Sequence, residues 1–354
     1  MYGGGPMRPS GPSSGAAGGG TTSRREFLTL AAAVGLLGPA GVGCLGTPDP
    51  ADDPPDPAPG PAPAGSDHLA RGLMAMSTVH LRGWVPGHHG AAVIASHYFR
   101  EDNHLDERTA RALRANVEAF MARSPGEFPA PDPGRGTADP ARIVERLDGQ
   151  VAELRSGGHD KIFASLALRA LRDLPEFATP SVIDGVCRLL EVFAETARPV
   201  APSRYALEHP MPPYRGPEDV ASVTLAATLR PWSHLRGVGT SGVLHWVTHA
   251  EALVTLEELG YGDVARRGHG AQQRQFHRPV EDDRSEAPER PAIDWLGPGY
   301  WESEAPRRLL DGSWLFGHSF KLPYSLFRLL RRVDDPAFRA ACVARAAELT
   351  IPFE

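Results

Sequence analysis

Apolar side chains recur at helical spacing along the chain from about His68 onward. Three segments place apolar residues three or four positions apart: Arg108 to Met121, Ile143 to Leu154, and Ser181 to Ala197. Strand signals are scarce, since no run of β-branched residues alternates with polar ones and no Asn-Gly hairpin turn occurs. The pattern therefore predicts an all-α body.

A glycine and a histidine stand near the start of four further apolar segments. These are Gly87-His88-His89-Gly90, Gly158-His159, Gly242-Val243-Leu244-His245 and Gly317-His318, whose histidines follow one another at intervals of 71 to 86 residues. Near-equal spacing indicates helical hairpins repeated around an axis, either an α/α-toroid-like fold or a large helical bundle. The helices after each histidine are apolar on most faces and are predicted to lie inside. His88, His159, His245 and His318 would then meet at one mouth of the domain.

Histidines gathered in this way are candidates for chemistry. An imidazole at a helix N-terminus tends to stay neutral, and a neutral imidazole binds metal or accepts a proton. His88, His159, His245 and His318 are therefore the candidate catalytic residues. The alternative is that these side chains only cap helices and hydrogen-bond to the backbone.

His245 and His249 form a separate candidate pair for a divalent metal ion. Residues i and i+4 share a helix face, so both imidazoles could bind one ion. Trp246 occupies the position where the helix of zinc proteases carries its glutamate base, which excludes that family. The identity of the ion, or of any other cofactor, is left open.

Several function classes are excluded or disfavoured. Ser241 has no Gly-x-Ser-x-Gly elbow around it, and the chain has no Walker loop and no dinucleotide-binding fingerprint. The net charge is −6 and no long basic run occurs, which argues against a nucleic-acid partner. Three cysteines are too few for a disulfide scaffold. Cys187 and Cys342 are interpreted as buried thiols, with mutual pairing as the alternative.

The N-terminal segment carries the signs of export. Arg24-Arg25 followed by Phe27-Leu28 resembles the twin-arginine signal, and the apolar run that follows is shorter than a bilayer span of about 20 residues. Small residues lead up to Cys44, as in a lipoprotein-processing site, although Gly41 stands where that motif usually has leucine. Ordinary cleavage near this position, without a lipid, is the alternative. Residues 1–44 are thus expected to be a signal peptide ending in a lipid-anchor cysteine, which implies attachment to a membrane in the periplasm or cell envelope.

A proline-rich stretch follows the predicted anchor. Residues 45–66 contain eight prolines between Pro48 and Pro63, which favours extended polyproline II at about 3.1 Å per residue. The prediction is a disordered linker at 45–66 and a single all-α domain at 67–354.

The body is similar in the order of its motifs to the questin oxidase-like proteins, helical enzymes whose fungal member opens an anthraquinone ring by oxygen insertion. The similarity rests on His88-His89, on Gly158-His159, on His245-Trp246-Val247-Thr248, and on Gly317-His318 with Lys321. It departs at Phe163, where that family usually has another histidine, and at the first segment, which lacks Asn-His-x-x-His. The resemblance implies an oxidoreductase with oxygen as co-substrate.

Three functions remain open on the sequence alone. The first is an exported oxidoreductase that acts on a small hydrophobic molecule in a histidine-lined pocket. The second is a metal- or ligand-binding envelope lipoprotein without catalysis. The third is a structural envelope protein. The apolar wall of the pocket would come from Trp84, Phe99, Phe163, Trp246, Phe320 and Tyr324.

Overall fold

Helices make up nearly all the regular structure that the computed structural model describes, which covers residues 66–201, 207–208, 210–229, 239–275, 293–306 and 317–349. Apart from one isolated bridge between Arg155 and Pro199, these residues contain no β-structure. The all-α prediction is confirmed. The twelve α-helices of the described residues are α1 (Ser66–Thr78), α2 (Gly87–Asp102), α3 (Glu107–Arg123), α4 (Ala141–Asp148), α5 (His159–Asp173), α6 (Pro180–Thr196), α7 (Pro217–Thr228), α8 (Gly239–Glu258), α9 (Gly262–Gln272), α10 (Pro298–Glu302), α11 (His318–Leu330) and α12 (Pro336–Leu349).

Local sequence explains where the outer helices begin. Asp106 caps α3, because its carboxylate accepts hydrogen bonds from the backbone N–H groups of Arg108 and Thr109 at 2.9 and 3.0 Å. Pro180 occupies the first position of α6, where its missing N–H costs nothing. The apolar face predicted for α6 is buried without exception, at Val182, Ile183, Val186, Leu189, Leu190 and Phe193.

Four helices form the inside of the fold. Helix α2 packs against α5 and α11, and α8 packs against the same two helices. Every residue from His159 to Leu171 in α5 and from His318 to Phe327 in α11 is buried. These helices are apolar on most faces because each has neighbours on most sides.

The four inner helices run in the same direction. Their histidine-bearing segments meet at one end, and residues two to four turns later in the same helices meet again. There Arg169 of α5 pairs with Asp102 of α2 at 2.7 Å and donates to the Tyr324 hydroxyl of α11 at 3.0 Å. Tyr324 in turn donates to Glu251 of α8 at 2.7 Å. In a fold built from repeated helical hairpins, each inner helix is followed by a returning outer helix, so all the inner helices run in the same direction.

Two predicted boundaries are wrong. Helix α8 begins at Gly239, so His245 lies in its second turn and not at its start. Helix α4 ends at Asp148, before Gly149, and the apolar residues Val151 and Leu154 that continued its pattern are buried in the non-helical segment that follows. Both errors arise because apolar spacing marks the buried face of a segment and not the residue at which a helix begins or ends.

The expectations for the N-terminus fall on residues 1–65, outside the described part of the chain, and they include Cys44 and nearly all of the proline-rich linker. No helix among the described residues has the length and apolar character needed to cross a membrane. Cys187 and Cys342 are both buried free thiols.

Candidate metal centre

Four histidines from four different helices meet at one point of the structure. They are His88, His159, His245 and His318, and one ring nitrogen of each lies within 4.8 Å of those of the other three. His88 is the second residue of α2, and His159 and His318 are the first residues of α5 and α11. The histidine cluster expected from the spacing of the Gly-His segments is therefore present.

The rings are in direct contact and withdrawn from solvent. His245 lies between two neighbours, with its Nε2 atom 3.2 Å from Nε2 of His159 and 3.0 Å from Nε2 of His318. His88 completes the group, its ring centroid 4.2 Å from that of His159 and 5.4 Å from that of His318. His88, His159 and His318 are buried, and His245 is half-buried.

Two of the imidazoles are oriented by backbone carbonyl groups. Nδ1 of His88 lies 2.6 Å from the carbonyl oxygen of Val85, and Nδ1 of His159 contacts the carbonyl oxygen of Ser156. A carbonyl oxygen only accepts hydrogen bonds, so Nδ1 must carry the hydrogen in both rings. Their Nε2 atoms then present lone pairs. A ring fixed by Nδ1–H to a carbonyl is the usual arrangement of a metal-ligating histidine.

The close nitrogen contacts of His245 are difficult to satisfy without an ion. A neutral Nε2 atom carries either one hydrogen or one lone pair, so the contacts with His159 and His318 cannot both be linear hydrogen bonds. A cation placed among the four nitrogens would engage every lone pair at once. The donor set fits a first-row transition metal, since imidazole suits zinc, copper, iron and nickel.

Burial keeps His88 and His159 uncharged. It holds the pKa of His88 and of His159 well below the usual value, and the nearby charge of Lys321 and the neighbouring histidines lower both further. Neutral imidazole is the form that binds metal. The N-termini of α2 and α5 favour the same protonation state.

One buried lysine, Lys321, lies close to the cluster. It lies one helical turn after His318, is buried, and its Nζ atom makes no hydrogen bond among the described residues. After burial, its charge is the largest influence on the pKa of His88. Burial lowers the pKa of Lys321 to about 7, so a neutral amine is available close to neutral pH. The sequence placed this lysine near His318 but indicated no role for it.

Aromatic rings cover one side of the cluster. The centroid of Trp84 lies 5.5 Å from those of His88 and His159, and Phe163 stands at the same distance from both. Trp84 is partly exposed and Phe163 is fully buried. Of the other aromatic residues expected here, Phe99 and Phe320 pack on Trp301, and Tyr324 belongs to the charged network about two turns further along α11.

His249 does not belong to the group of four. Its ring is fully buried, and Nδ1 lies 3.1 Å from Oε1 of Gln275. Burial holds its pKa well below the usual value, with the charge of Lys161 as the next cause. The structure therefore places His245 in the cluster and His249 beside it, although both lie on one face of α8.

Sequence reasoning missed Gln275 and the buried pair Asp160–Lys161. Lys161 Nζ lies 2.8 Å from the Asp160 carboxylate, with both side chains fully buried directly after His159. Two opposite charges directly after His159, a candidate catalytic residue, could have indicated this pair from the sequence. Gln275 offered none, because nothing in its local sequence indicates a contact with residues 26 and 118 positions away.

The chain has no match among models of protein families, among curated proteins or among solved structures. The case for a function therefore rests on the geometry of the site.

Proposed function

We propose that His88, His159, His245 and His318 bind one divalent transition-metal ion through their Nε2 atoms. The observation that carries this proposal is the approach of four donor nitrogens to within 4.8 Å of one another in a buried site. Metal–imidazole bonds of about 2.0–2.1 Å would bring such nitrogens within roughly 4 Å of each other, so small movements of the rings complete the coordination shell.

The ligand set narrows the choice of ion. Four imidazoles without a carboxylate or a thiolate disfavour calcium and magnesium, which prefer oxygen ligands. Iron, copper, zinc and nickel remain. Iron and copper would supply one-electron and oxygen chemistry when bound.

We further propose that the centre serves an oxidoreductase acting on a small hydrophobic molecule, with oxygen as co-substrate. The similarity in motif order to the questin oxidase-like proteins supports this reaction class. Trp84 and Phe163 support an apolar substrate, because they contact the ligand rings and offer a surface for an aromatic molecule. Lys321, with its pKa near 7, can hold or release a proton beside the centre.

A non-catalytic metal-binding role is the second candidate. It is favoured by one observation, namely that the protein supplies four ligands, three of them buried. Closed four-ligand zinc sites are structural, whereas catalytic zinc keeps an open position. This candidate predicts a bound ion that neither exchanges ligands with small anions nor supports turnover.

Oxygen consumption separates the two candidates. The purified protein would be loaded with Fe²⁺, Cu²⁺ or Zn²⁺ and supplied with an anthraquinone, the substrate class that the motif similarity implies. Each reaction is run with and without a two-electron reductant, because insertion of one oxygen atom from O₂ requires two electrons to reduce the other atom to water. Oxygen uptake that depends on substrate, requires a redox-active ion and is lost in His245→Ala supports the oxidoreductase. A tightly bound ion without uptake under any of these conditions supports the binding protein.

The proposed location is the cell envelope, with the body tethered to a membrane through a lipid on Cys44. The twin arginines and the small residues before Cys44 support it. Replacing Arg24 and Arg25 by lysine should leave the protein in the cytoplasm on cell fractionation. Replacing Cys44 by serine should release it from the membrane fraction.

A further inference from the structure

A strained turn leads into the helix that carries His159. Ser156, Gly157 and Gly158 have φ values of +37°, +74° and +87°, three successive residues in the left-handed region. Serine rarely adopts such a backbone, so the surrounding structure must hold it there. The turn also provides the Ser156 carbonyl group that orients the His159 ring.

The turn is seated between the two histidines of α8. A side-chain carbon on Gly157 would come within 2.7 Å of the His245 ring, and one on Gly158 would come equally close to the His249 ring. Only glycine permits this approach together with a positive φ. The position of the turn and the positions of both rings therefore depend on one another.

Gln275 joins the turn to α8 with both ends of its carboxamide. Its Nε2 atom donates to the Gly157 carbonyl oxygen at 3.0 Å, and its Oε1 atom accepts from Nδ1 of His249 at 3.1 Å. The amide nitrogen is a donor facing a carbonyl acceptor, and the amide oxygen is an acceptor facing an N–H donor. The Gln275–His249 clasp thus connects His249, one turn beyond His245, to Gly157, the residue that precedes Gly158-His159.

We propose that the Gln275–His249 clasp positions His159 and His245 for metal binding, with Gln275 and His249 as positioning residues and not ligands. The inference rests on the proposed metal site. His249 supports it, because its Nε2 atom is buried without a hydrogen-bond partner. Burying Nε2 without a hydrogen bond costs free energy, and an apolar residue at position 249 would avoid that cost. Histidine is nevertheless present because its Nδ1–H group is needed to bind Gln275.

Titration of the metal-free protein with Co²⁺ tests the proposal, since the visible absorption of Co²⁺ reports ligand geometry. Gln275→Ala removes both bonds of the clasp, and Gln275→Glu keeps only the bond to His249. Both variants should bind Co²⁺ about 10–100-fold more weakly, with altered band positions or intensities, as for other residues that orient metal ligands. His249→Gln retains an N–H donor and should recover part of the affinity that His249→Leu loses.

Arg274→Ala is the matched control. Arg274 precedes Gln275 and contacts Val200 of another segment, so its loss should leave both the Kd and the spectrum as in the wild type. A purely structural role for Gln275 would lower the thermal midpoint without changing the spectrum of bound Co²⁺. Should Gln275→Ala fail to fold, Gln275→Glu decides the question.

Wild-type Kd and wild-type spectrum in the Gln275 variants would overturn the clasp and leave the metal site standing. Failure of the wild-type protein to bind Co²⁺ would overturn the metal site and, with it, the clasp. The two failures are therefore distinguishable in one set of titrations.

Discussion

The Nε2 atoms of His245 and His318 lie 3.0 Å apart, although the residues are separated by 73 positions in the chain. Their helices run in the same direction, each with its histidine in the first two turns. The same pair of helices meets again through Glu251 and Tyr324, about two turns later. The His245–His318 contact and the Glu251–Tyr324 hydrogen bond together fix how far one helix is shifted along the other. This register brings the donor nitrogens together.

Two buried lysines near the cluster are predicted to respond in opposite ways to replacement by methionine. Lys321 Nζ has no hydrogen-bond partner among the described residues, so Lys321→Met should stabilise the metal-free protein by about 1–3 kcal/mol. Lys161 is paired with Asp160, and Lys161→Met should destabilise it by about 3–5 kcal/mol, because a buried carboxylate is left alone.

Urea unfolding at pH 7 measures both changes. Since the two substitutions are chemically identical, any general effect of methionine is common to them. Destabilisation by Lys321→Met would mean that the ammonium group has a stabilising partner in the folded protein, which contradicts the prediction.

The metal-free protein is predicted to lose stability as the pH falls below 6.5. Burial depresses the pKa of His88, His159 and His249 in the folded state, whereas the unfolded histidines titrate at about 6.5. The unfolded state therefore takes up protons first. Each residue removes about 1.4 kcal/mol of unfolding free energy per pH unit until its folded pKa is reached.

Chemical unfolding at pH 7.5, 6.5 and 5.5 checks this dependence, with the wild type compared with His249→Leu. Removing one buried histidine should reduce the slope of unfolding free energy against pH below 6.5 by the contribution of about one proton. A stability that stays constant across this range would show that the histidines are charged or exposed in the folded protein.

Gly157→Ala is predicted to damage the site and the fold together. Alanine is strained at a φ of +74°, and its methyl group would meet the His245 ring at 2.7 Å. We expect a loss of about 2 kcal/mol in unfolding free energy and weaker metal binding.

Gly270→Ala serves as the control for that substitution. Gly270 is an exposed glycine within α9, with no atom close enough to meet a methyl group, so alanine there should be neutral or stabilising by up to about 1 kcal/mol. Equal effects of the two substitutions would argue against a specific contact between Gly157 and His245.

The sequence predicted the fold class and the histidine cluster because both depend on repeating patterns. Apolar spacing marked the buried faces of α3 and α6, and the recurrence of Gly-His at similar intervals pointed to one meeting place for His88, His159, His245 and His318. Those patterns involve residues close together in the chain or regularly spaced along it.

The details of the site depend on contacts that no local pattern encodes. The partnership of His249 with Gln275 follows from the packing of the segment after α9 against the turn before α5. The position of the turn at Ser156–Gly158 likewise decides that His245 belongs to the cluster and His249 does not. Arg169 and Tyr324, 155 residues apart, are connected only once the inner helices have assembled.

Metal content is the most direct measurement of the central proposal. We expect the purified wild-type protein to retain close to one equivalent of a transition-metal ion, His245→Ala to retain almost none, and His89→Ala to retain the wild-type amount. His89 is the matched control, because it neighbours His88 in the chain but its ring contacts Glu127 and Phe120 outside the cluster. Equal metal content in all three proteins, or none in any of them after loading with iron, copper and zinc, would contradict the proposal.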